Sequence, residues 1–412
     1  MYGALAMNGK DLNMRDVDVC VVGAGPVGGT LACRLARAGL SVAVVDRAAL
    51  PPMEHPSFDG RAYAIAAGSR GLLEDAGIWD RLPLPAGPIE QIRVSDGKPG
   101  RRASPLFLHF DTAELAGSPL GWMVEARSMR VALNACLHAT PGIALHAPAQ
   151  AQVTRDARGA TVTLDDGQKL RAKLVVAAEG RDSPLRRQAG LAAARWSYPQ
   201  SGIVCAIAHE HPHNRTALEH FLPAGPFAQL PMAGGEAGEN LSAIVWTDRA
   251  TLAPRLMALD DDAFTAEVAI RLGPHLGAIR LVGRRWIYPL SAMYVHRVTA
   301  ERLAVVGDAA HGIHPIAGQG LNLGLRDAIA LCTLVEDAHR TGRDIGGPAV
   351  LAGYRRARRL DTVSMLLATD GLDRLFSTDN PAIRLARDLG IAAVHRMPRL
   401  KQAFMRQAMG LR

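Results

Sequence analysis

The N-terminal part of the chain alternates between short apolar runs and one amphipathic stretch. Residues 18–22 and 41–45 are apolar and rich in β-branched side chains, which favours buried strands. Residues 30–38 carry apolar side chains at helical spacing and stop at Gly39, the expected C-cap position of a helix. This order predicts a strand, a helix and a second strand, which together form a βαβ unit of about 30 residues.

The rest of the chain shows both helical and strand-like periodicity. Apolar side chains at helical spacing predict helices over residues 66–76, 124–138, 260–273, 321–339 and most of 350–412. Short apolar runs predict strands over residues 89–95, 160–164, 170–177, 203–210, 218–222, 227–231, 241–248 and 302–306. Because the runs between residues 203 and 248 are separated only by turn residues, they predict an antiparallel sheet. The chain is therefore expected to have a mixed α/β fold.

The composition fits a globular protein of more than one domain. The chain has 412 residues, of which 48% are apolar and 21% charged, so wholesale disorder is excluded. No apolar run of 18 residues free of charges occurs, so no membrane span is predicted. The five cysteines are dispersed and have no CxxC spacing, which predicts buried thiols without disulfides or a metal site. Such cysteine usage favours a cytoplasmic location.

The positive charge is concentrated near the C-terminus. Residues 351–412 contain 12 Arg and Lys against five Asp, whereas the whole chain carries a net charge of +8. This basic segment predicts contact with a membrane surface or an acidic partner, and a solvated helical face is the simpler alternative. Nucleic acid is not expected as a partner, because the segment has few aromatic side chains for stacking on bases.

A glycine-rich turn follows the first predicted strand. Gly23, Gly25 and Gly28 have the GxGxxG spacing of a dinucleotide-binding loop and open the first predicted helix. The first glycine permits the tight turn, the second lets the backbone approach a pyrophosphate, and the third lets helix and strand pack closely. Asp46 ends the second predicted strand, where a carboxylate accepts hydrogen bonds from ribose hydroxyls. The unit predicts a dinucleotide site and leaves FAD and NAD as alternatives.

A second glycine-rich segment distinguishes between these cofactors. The predicted strand over residues 302–306 runs into Gly307 and Asp308, which place an acid beyond the sheet edge. A later turn with Gly318 and Gly320 opens a helix whose amides and dipole suit a group that becomes anionic on reduction, such as a flavin. Residues 302–327 resemble the second FAD-binding motif of the group A flavoprotein monooxygenases.

Two further segments carry the same resemblance. Asp59-Gly60-Arg61 matches a position at which the family places an arginine near the FAD pyrophosphate, on the side of the nicotinamide. The sequence from Glu179 to Arg186 resembles the family motif that touches FAD and NAD(P)H, with Glu179 in place of the usual Asp. The resemblance therefore implies FAD as cofactor and NADH or NADPH as reductant.

Within this family the chain resembles the ring hydroxylases of ubiquinone biosynthesis, in particular those of the 2-polyprenyl-6-methoxyphenol type. The matching segments are residues 314–327, 225–231, 354–358, 368–370 and 375–377. The resemblance implies hydroxylation of the aromatic ring of a polyprenylated phenol through a flavin C4a-hydroperoxide. It also implies that the protein meets its substrate at the inner face of a membrane, as a peripheral protein, or together with other biosynthetic enzymes.

The resemblance also implies roles for the second glycine-rich segment. The loop from Pro315 to Asn322 would line the reactive face of the flavin, with Pro315, Gly318 and His314 as the candidate catalytic residues. The backbone amides at Leu321 and Asn322 would meet the pyrimidine edge of the flavin. A structural role within the loop is the alternative for His314.

The expected architecture is a doubly wound Rossmann-like FAD domain with a smaller, largely antiparallel substrate domain and a C-terminal helical region. The resemblance places the FAD domain at residues 16–75, 105–183 and 285–345, the substrate domain at 76–104 and 184–284, and the helical region at 346–412. Three alternatives stay open: a hydroxylase for a small soluble phenol or a polyketide, a redox-neutral or reductase flavoprotein, and a scaffold without activity.

Overall fold

In the computed structural model the chain is described over residues 14–51, 56–101, 107–115, 117–235, 238–314, 318–376 and 397–410. These residues form three β-sheets and nine helices, besides a few single turns of 3₁₀-helix. The strands are β1 (Met14–Val22), β2 (Val42–Val45), β3 (Ala62–Ala66), β4 (Gly87–Ile89), β5 (Gln91–Asp96), β6 (Leu108–Asp111), β7 (Gly121–Glu125), β8 (Ile143–His146), β9 (Ala151–Asp156), β10 (Gly159–Leu164), β11 (Lys169–Ala177), β12 (Ala193–His209), β13 (Thr216–Leu222), β14 (Gly225–Pro231), β15 (Asn240–Arg249), β16 (Ile279–Val295), β17 (Thr299–Ala300), β18 (Leu303–Val305) and β19 (His311–Gly312). The helices are α1 (Pro26–Arg37), α2 (Ala67–Asp75), α3 (Ala126–Ala139), α4 (Pro184–Gln188), α5 (Ala253–Met257), α6 (Asp261–Leu272), α7 (Gln319–Arg340), α8 (Pro348–Phe376) and α9 (Pro398–Met409).

Parallel strands form the centre of the first sheet, in the order β18-β11-β1-β2-β8. Its central strands are buried on both faces, which explains why their sequences are continuous apolar runs. On one face they pack against α1, α3 and α7, and on the other against β9 and β10, which extend antiparallel from β11. Because the strands are parallel, the loops after β1, β11 and β18 meet at one edge of the sheet.

The second sheet is long and almost wholly antiparallel, in the order β19-β16-β12-β15-β14-β13-β5-β6. Only the pair β13 and β5 is parallel. The outer face of the sheet is covered by α5 and α6, through a cluster that includes Phe227, Trp246 and Phe264. The third sheet, β3-β7-β4, packs its Ile89 and Met123 against the inner face of the second sheet.

These sheets confirm the mixed α/β fold and the antiparallel sheet expected from the middle of the chain. One predicted helix was wrong at its start, because residues 121–125 form β7 and α3 begins only at Ala126. Neither β16 nor the short strands β8 and β9 were predicted. Two of the expected domain boundaries lie after residue 104 and after residue 284. Strand β6, which follows the first boundary, pairs with β5, which precedes it, and strand β16 spans the second. The antiparallel sheet therefore contains residues of both expected domains. Those boundaries themselves stay a prediction.

The described residues also bear on the expectations drawn from composition. All five cysteines are buried free thiols, as their dispersed spacing predicted. Among the helices of the described part of the chain, none is both long and apolar enough to cross a bilayer. The same residues contain no group of three or more His, Cys, Asp or Glu side chains that could hold a metal ion. Residues 377–396 of the basic C-terminal segment lie outside the described residues.

Candidate active site

The first glycine-rich loop connects β1 to α1 at the carboxyl edge of the parallel sheet. Gly23 has a φ of +102°, and a Cβ atom there would lie 2.4 Å from the carbonyl oxygen of Ala178, which follows β11. A Cβ atom on Gly28 would lie 2.0 Å from the carbonyl oxygen of Gly23 and 2.7 Å from the Cβ atom of Ala178. The shortest of these contacts are with backbone atoms, so a side chain at either position would push the loop, the helix and β11 apart.

Gly25 differs from these two glycines because nothing lies within 4 Å of the position of its Cβ atom. It is the N-cap residue of α1, and no side chain caps the helix through it. The first turn of α1 contains no acidic side chain. Uncapped amides beside open space suit the pyrophosphate of a dinucleotide, so this end of α1 fits the cofactor that the glycine spacing predicts.

Asp46 follows β2 and holds the first glycine loop. Its Oδ2 atom accepts a hydrogen bond from the amide of Ala24 at 2.7 Å, and its Oδ1 atom accepts one from Ala48 at 2.8 Å. Each carboxylate oxygen still has capacity for a second donor. The structure therefore places Asp46 at the loop as predicted, where it supports the loop and has acceptors left for a ribose.

The second glycine-rich segment begins where β18 ends. A Cβ atom on Gly307 would lie 3.3 Å from Val27 of α1, and one on Gly324 of α7 would lie 2.7 Å from the same side chain. The two glycines thus let α1, α7 and the end of β18 approach closely. Asp308 points away from this packing, with 53% of its side chain exposed, and its Oδ2 atom lies 3.4 Å from Nε of Arg181. An exposed acid at this edge fits the polyol of a dinucleotide cofactor.

Helix α7 starts at a glycine in the left-handed region, a conformation that glycine adopts without strain. Its N-cap residue Gly318 has a φ of +62°, and a Cβ atom there would lie 3.1 Å from the Cβ atom of Ala64 in β3. The first turn of α7 has neither a side-chain cap nor an acidic residue. Nothing lies within 4 Å of the Cβ position of Gly320, and Leu321 is half-buried. The start of α7 therefore offers amides as α1 does. Pro315 lies outside the described residues.

Asn322 joins α7 to the third sheet. Its Oδ1 atom accepts a hydrogen bond from the amide of Ala66, and its Nδ2 atom donates to the carbonyl oxygen of Ala64, both at 2.8 Å. The side chain is 1% exposed. It therefore fixes the position of the helix start against β3, a role for the side chain that the sequence did not indicate.

A buried ionic network lies behind the second glycine-rich segment. Asp327 accepts hydrogen bonds from the amide of Gly307 at 2.8 Å, from Nε2 of His311 at 2.7 Å and from Nε of Arg358 at 2.6 Å. Burial alone would raise the pKa of Asp327, but His311 and Arg358 hold it below its usual value. Arg358 also donates to the carboxylate of Asp361. The network thus connects β18, β19, α7 and α8.

His314 is fully buried at the end of the described part of this loop. Its Nε2 atom lies 3.3 Å from Oε1 of Gln200, and its ring meets that of Tyr198 edge-on, with centroids 5.0 Å apart. The hydroxyl of Tyr198 donates a hydrogen bond to Asp370 of α8 at 2.9 Å. These contacts support the structural alternative for His314, and its catalytic role stays a prediction.

Arg61 lies on the loop before β3, and the loop itself is anchored to β16. The guanidinium forms an ion pair with Asp59 at 2.6 Å and lies over the ring of Trp286, 4.4 Å from its centroid. A Cβ atom on Gly60 would lie 2.5 Å from the carbonyl oxygen of Arg284, so this loop approaches β16 backbone to backbone. The Arg61 side chain is 45% exposed and is therefore accessible to a nicotinamide cofactor.

Glu179 follows β11 and turns toward its own segment. Its Oε2 atom accepts a hydrogen bond from the hydroxyl of Ser183 at 2.5 Å and one from the amide of Leu185 at 3.2 Å. Burial raises the pKa of Glu179 above its usual value, although these hydrogen bonds act in the opposite direction. The carboxylate therefore caps the start of α4. Its predicted contact with the cofactor stays a prediction.

An apolar cavity of about 170 Å³ lies between the second and third sheets and the start of α7. Its wall includes Ile92 and Phe110 from the second sheet, Leu120 before β7, and Met405 and Met409 from α9. Only three polar side chains line it among the described residues. They are Gln319, Asn322 and Glu219. The cavity thus opens against the segment that the sequence assigns to the reactive face of a flavin.

The structure brings most of the predicted site residues to the carboxyl edge of the parallel sheet, and it adds three that sequence reasoning missed. The missed residues are Asp327, Arg358 and Glu219. Asp327 is the last residue of the second glycine-rich segment, and Arg358 is the last residue of the segment 354–358. No signal in the sequence around either residue indicates that the two side chains pair. Glu219 is an acid inside the apolar run predicted as the strand over residues 218–222, which was the available signal.

The profile of the family described as "FAD binding domain" matches residues 16–362 of the chain. The chain is 49% identical over 394 residues to the ubiquinone hydroxylase UbiL of Rhodospirillum rubrum, covering 95% of this chain and 89% of that protein. It is 32% identical to the 3-demethoxyubiquinol 3-hydroxylase of Escherichia coli, covering 96% and 98% of the two chains. The crystal structure of the p-nitrophenol 4-monooxygenase PnpA of Pseudomonas putida matches the fold with a TM-score of 0.74, at 18% identity, over 97% of this chain and 100% of that one.

Proposed function

Because the chain belongs to the family of FAD-binding-domain proteins, we propose that it is an FAD-dependent monooxygenase that hydroxylates the aromatic ring of a polyprenylated phenol in ubiquinone biosynthesis. Two relatives that share at least 95% of its length with it are named as ubiquinone-pathway hydroxylases. The observation that carries the proposal is the position of the apolar cavity. It adjoins the start of α7, next to the glycine segment that fits a flavin, so ring and cofactor would meet there.

The residues at the sheet edge fit FAD on several counts. Gly23, Gly25 and Gly28 with the amides of α1 would hold the pyrophosphate, and Asp46 would accept hydrogen bonds from the ribose. Gly307 and Asp308 would hold the polyol. The amides at Gly320, Leu321 and Asn322, at the uncapped start of α7, would hold the pyrimidine edge. Bound FAD supplies the activation of oxygen, with NADH or NADPH as the reductant.

The protein itself would orient the substrate ring and exclude water from the cavity. The wall of the cavity is apolar apart from three side chains, so an aromatic ring placed there leaves little room for water near the reacting carbon. Helix α9 covers one side, with Met405 and Met409 toward the cavity. The adjoining loop would be shaped by Pro315, Gly318 and His314. We propose that NADH or NADPH binds near Arg61 and Glu179.

We further propose that the basic C-terminal part meets an anionic membrane surface, from which a prenylated substrate would be taken. On α8, Arg355, Arg356 and Arg359 are exposed beside Leu360 and Leu367, which are 80% and 66% exposed. Arginines next to exposed leucines suit an interface between lipid headgroups and acyl chains. Flotation with vesicles containing anionic lipid should recover the protein, and replacement of the three arginines by glutamine should abolish this recovery.

The function is tested by mixing the purified, FAD-loaded protein anaerobically with NADH or NADPH, with and without a short-chain prenylphenol. Reduction should be faster with the phenol, and admission of ¹⁸O₂ should give a product with one labelled oxygen on the ring. A protein that reduces no flavin with either nicotinamide and forms no labelled product would refute the proposal.

The Asp308→Ala variant should lose FAD, whereas Asp337→Ala, an exposed carboxylate at the far end of α7, should retain it. Comparison of the prenylphenol with the same phenol lacking its tail decides between the proposed substrate and a small soluble phenol.

A further inference from the structure

The apolar cavity contains one carboxyl group. Glu219 lies on β13, between β5 and β14, in register with Val94 and Ala228. It is 8% exposed and is the only ionisable side chain among the described residues that line the cavity. No hydrogen bond joins its carboxyl to another residue within the described part of the chain. An unpartnered carboxyl in such surroundings is unusual, because buried acids are normally paired.

The contrast with Asp327 shows that the fold supplies partners where an acid is structural. Asp327 is also buried, at 1% exposed, and accepts hydrogen bonds from an amide, a histidine and an arginine. Glu219 is part of a wall whose other polar groups are the amides of Gln319 and Asn322, and the amide of Asn322 is committed to β3. The carboxyl therefore has its hydrogen-bonding capacity available for a molecule in the cavity.

Charged groups on the neighbouring elements are engaged elsewhere. Arg93 of β5 is exposed to solvent, and β14 carries no charged residue. Lys401 of α9 is paired with Glu114, and Arg326 of α7 with Asp361. Two further titratable groups near β13 lie on its other side or at the end of β5. They are His220, which is hydrogen-bonded to Ser95, and Asp96.

Burial without such a partner raises the pKa of Glu219 to about 7. A carboxyl of that pKa near neutral pH is suited to both accepting and returning a proton.

We propose that Glu219 is a catalytic residue whose carboxylate accepts a hydrogen bond from the substrate's phenol hydroxyl and takes its proton as the ring is hydroxylated. The O–H bond of the phenol breaks and an O–H bond forms on Glu219, while the electron pair stays on the phenol oxygen. That pair raises the electron density at the ortho and para carbons, where oxygen is added. The ring carbon that receives oxygen gives up its own hydrogen as a proton, which leaves in the water formed from the second oxygen atom of O₂. Glu219 then returns its proton to the phenol oxygen in the product, so the reaction needs no reactant besides the phenol, O₂ and the nicotinamide of the proposed function. This inference rests on the proposed function.

The test compares Glu219→Gln and Glu219→Leu with Glu90→Gln, a surface carboxylate beside the same pair of strands. Wild type and Glu90→Gln should hydroxylate the prenylphenol with a rate that rises through a group of pKa near 7. The kcat of the two Glu219 variants should be at least about 100-fold lower, which is the usual contribution of a positioned acid or base. Their rate should also no longer rise with pH in this range. FAD content and the rate of reduction by nicotinamide without phenol should be unchanged, which shows that the variants are folded.

A binding measurement separates the inference from the proposed function. Wild type should bind the prenylphenol at least tenfold more tightly than its methyl ether, and Glu219→Gln should bind the two equally. If wild type binds with this preference but forms no hydroxylated product, the proposed function fails and the assignment of Glu219 as the hydroxyl acceptor stands. If wild type hydroxylates the phenol and Glu219→Gln keeps its kcat, pH profile and preference for the phenol, the role of Glu219 is wrong.

Discussion

Replacement of Arg358 by methionine should destabilise the fold more than any substitution of a surface charge. Arg358 and Asp327 have side chains that are 3% and 1% exposed, and Nε lies 2.6 Å from Oδ1. Removal of one member of a buried pair leaves the other charge uncompensated, which costs about 3–5 kcal/mol. Since domains are stable by about 5–15 kcal/mol, this is a large part of the total. The midpoint of urea unfolding should fall accordingly.

The pH dependence of this loss follows from the lowered pKa of Asp327. A depressed carboxyl pKa stabilises the native state above the unfolded pKa and loses that contribution as the pH falls through the native one. Without Arg358 the depression is smaller, so the difference in unfolding free energy should be greatest near neutral pH and shrink below the usual aspartate pKa of about 3.9. The apoprotein should show the effect, and FAD affinity should fall too because Asp327 holds Gly307.

Two comparisons make the reasoning on Arg358 refutable. The pair of Arg215 and Glu90 is exposed, with side chains that are 58% and 37% accessible, so Arg215→Met should cost at most about 1 kcal/mol. The double variant with Asp327→Asn and Arg358→Met should recover part of the loss, since it removes the uncompensated charge. An Arg358→Met protein as stable as Arg215→Met, or a double variant no better than the single one, would contradict this account.

Three further predictions follow from the packing of single residues. Gly28→Ala should lower the free energy of unfolding by roughly 1–3 kcal/mol and abolish FAD binding, whereas Gly25→Ala should leave the apoprotein stable but weaken FAD binding at least tenfold. Gly71→Ala, in open space within α2, should stabilise the protein by roughly 0.5–1 kcal/mol. Urea unfolding measures the stability of each variant, and FAD titration measures its cofactor binding. The pKa of Glu219, raised to about 7, should make wild-type stability fall by about 3 kcal/mol between pH 4.5 and 7, and Glu219→Gln should flatten that slope in unfolding curves. Lys401→Ala removes a buried ammonium that ties α9 to Glu114 in the turn after β6, so amide hydrogen exchange in α9 should become faster while the parallel sheet keeps its protection.

Local patterns in the sequence predicted the parts of the fold in which neighbours along the chain determine the structure. The run from Val19 to Val22 is apolar because both faces of β1 are covered, and the glycines after it lie where backbones meet. Residues 124 and 125, the end of β7, were assigned to the following helix because no Gly or Pro separates β7 from α3. Strand β16 was missed because Ile287 and Tyr288 are exposed next to each other and exposed arginines precede them, which interrupts any alternation.

The pairing of distant residues lay beyond such patterns. Asp327 and Arg358 are 31 positions apart, and their contact exists only because α7 and α8 pack together. The spacing of Tyr354 and Arg358 places both on one face of a helix, where Tyr354 donates a hydrogen bond to the carbonyl oxygen of Val305. Glu219 could be recognised as an acid in a strand, but its isolation depends on the two sheets and two helices that line the cavity. The spacing of residues in the sequence therefore indicates the glycine-rich loops, but it does not indicate which residues line the apolar cavity.

Helix α7 links the two halves of the candidate site mechanically. Its first turn borders the cavity, Asn322 fixes it to β3, and Asp327 holds the loop at Gly307 where the cofactor would bind. The start of a packed helix moves as a unit, so a substitution of Asn322 or Asp327 should disturb FAD and phenol binding together. Glu219 reaches the same cavity from β13, which contacts none of these cofactor-binding loops through a described hydrogen bond. Its variants can therefore change recognition of the phenol while FAD binding stays constant, and this independence lets the two kinds of binding be measured apart.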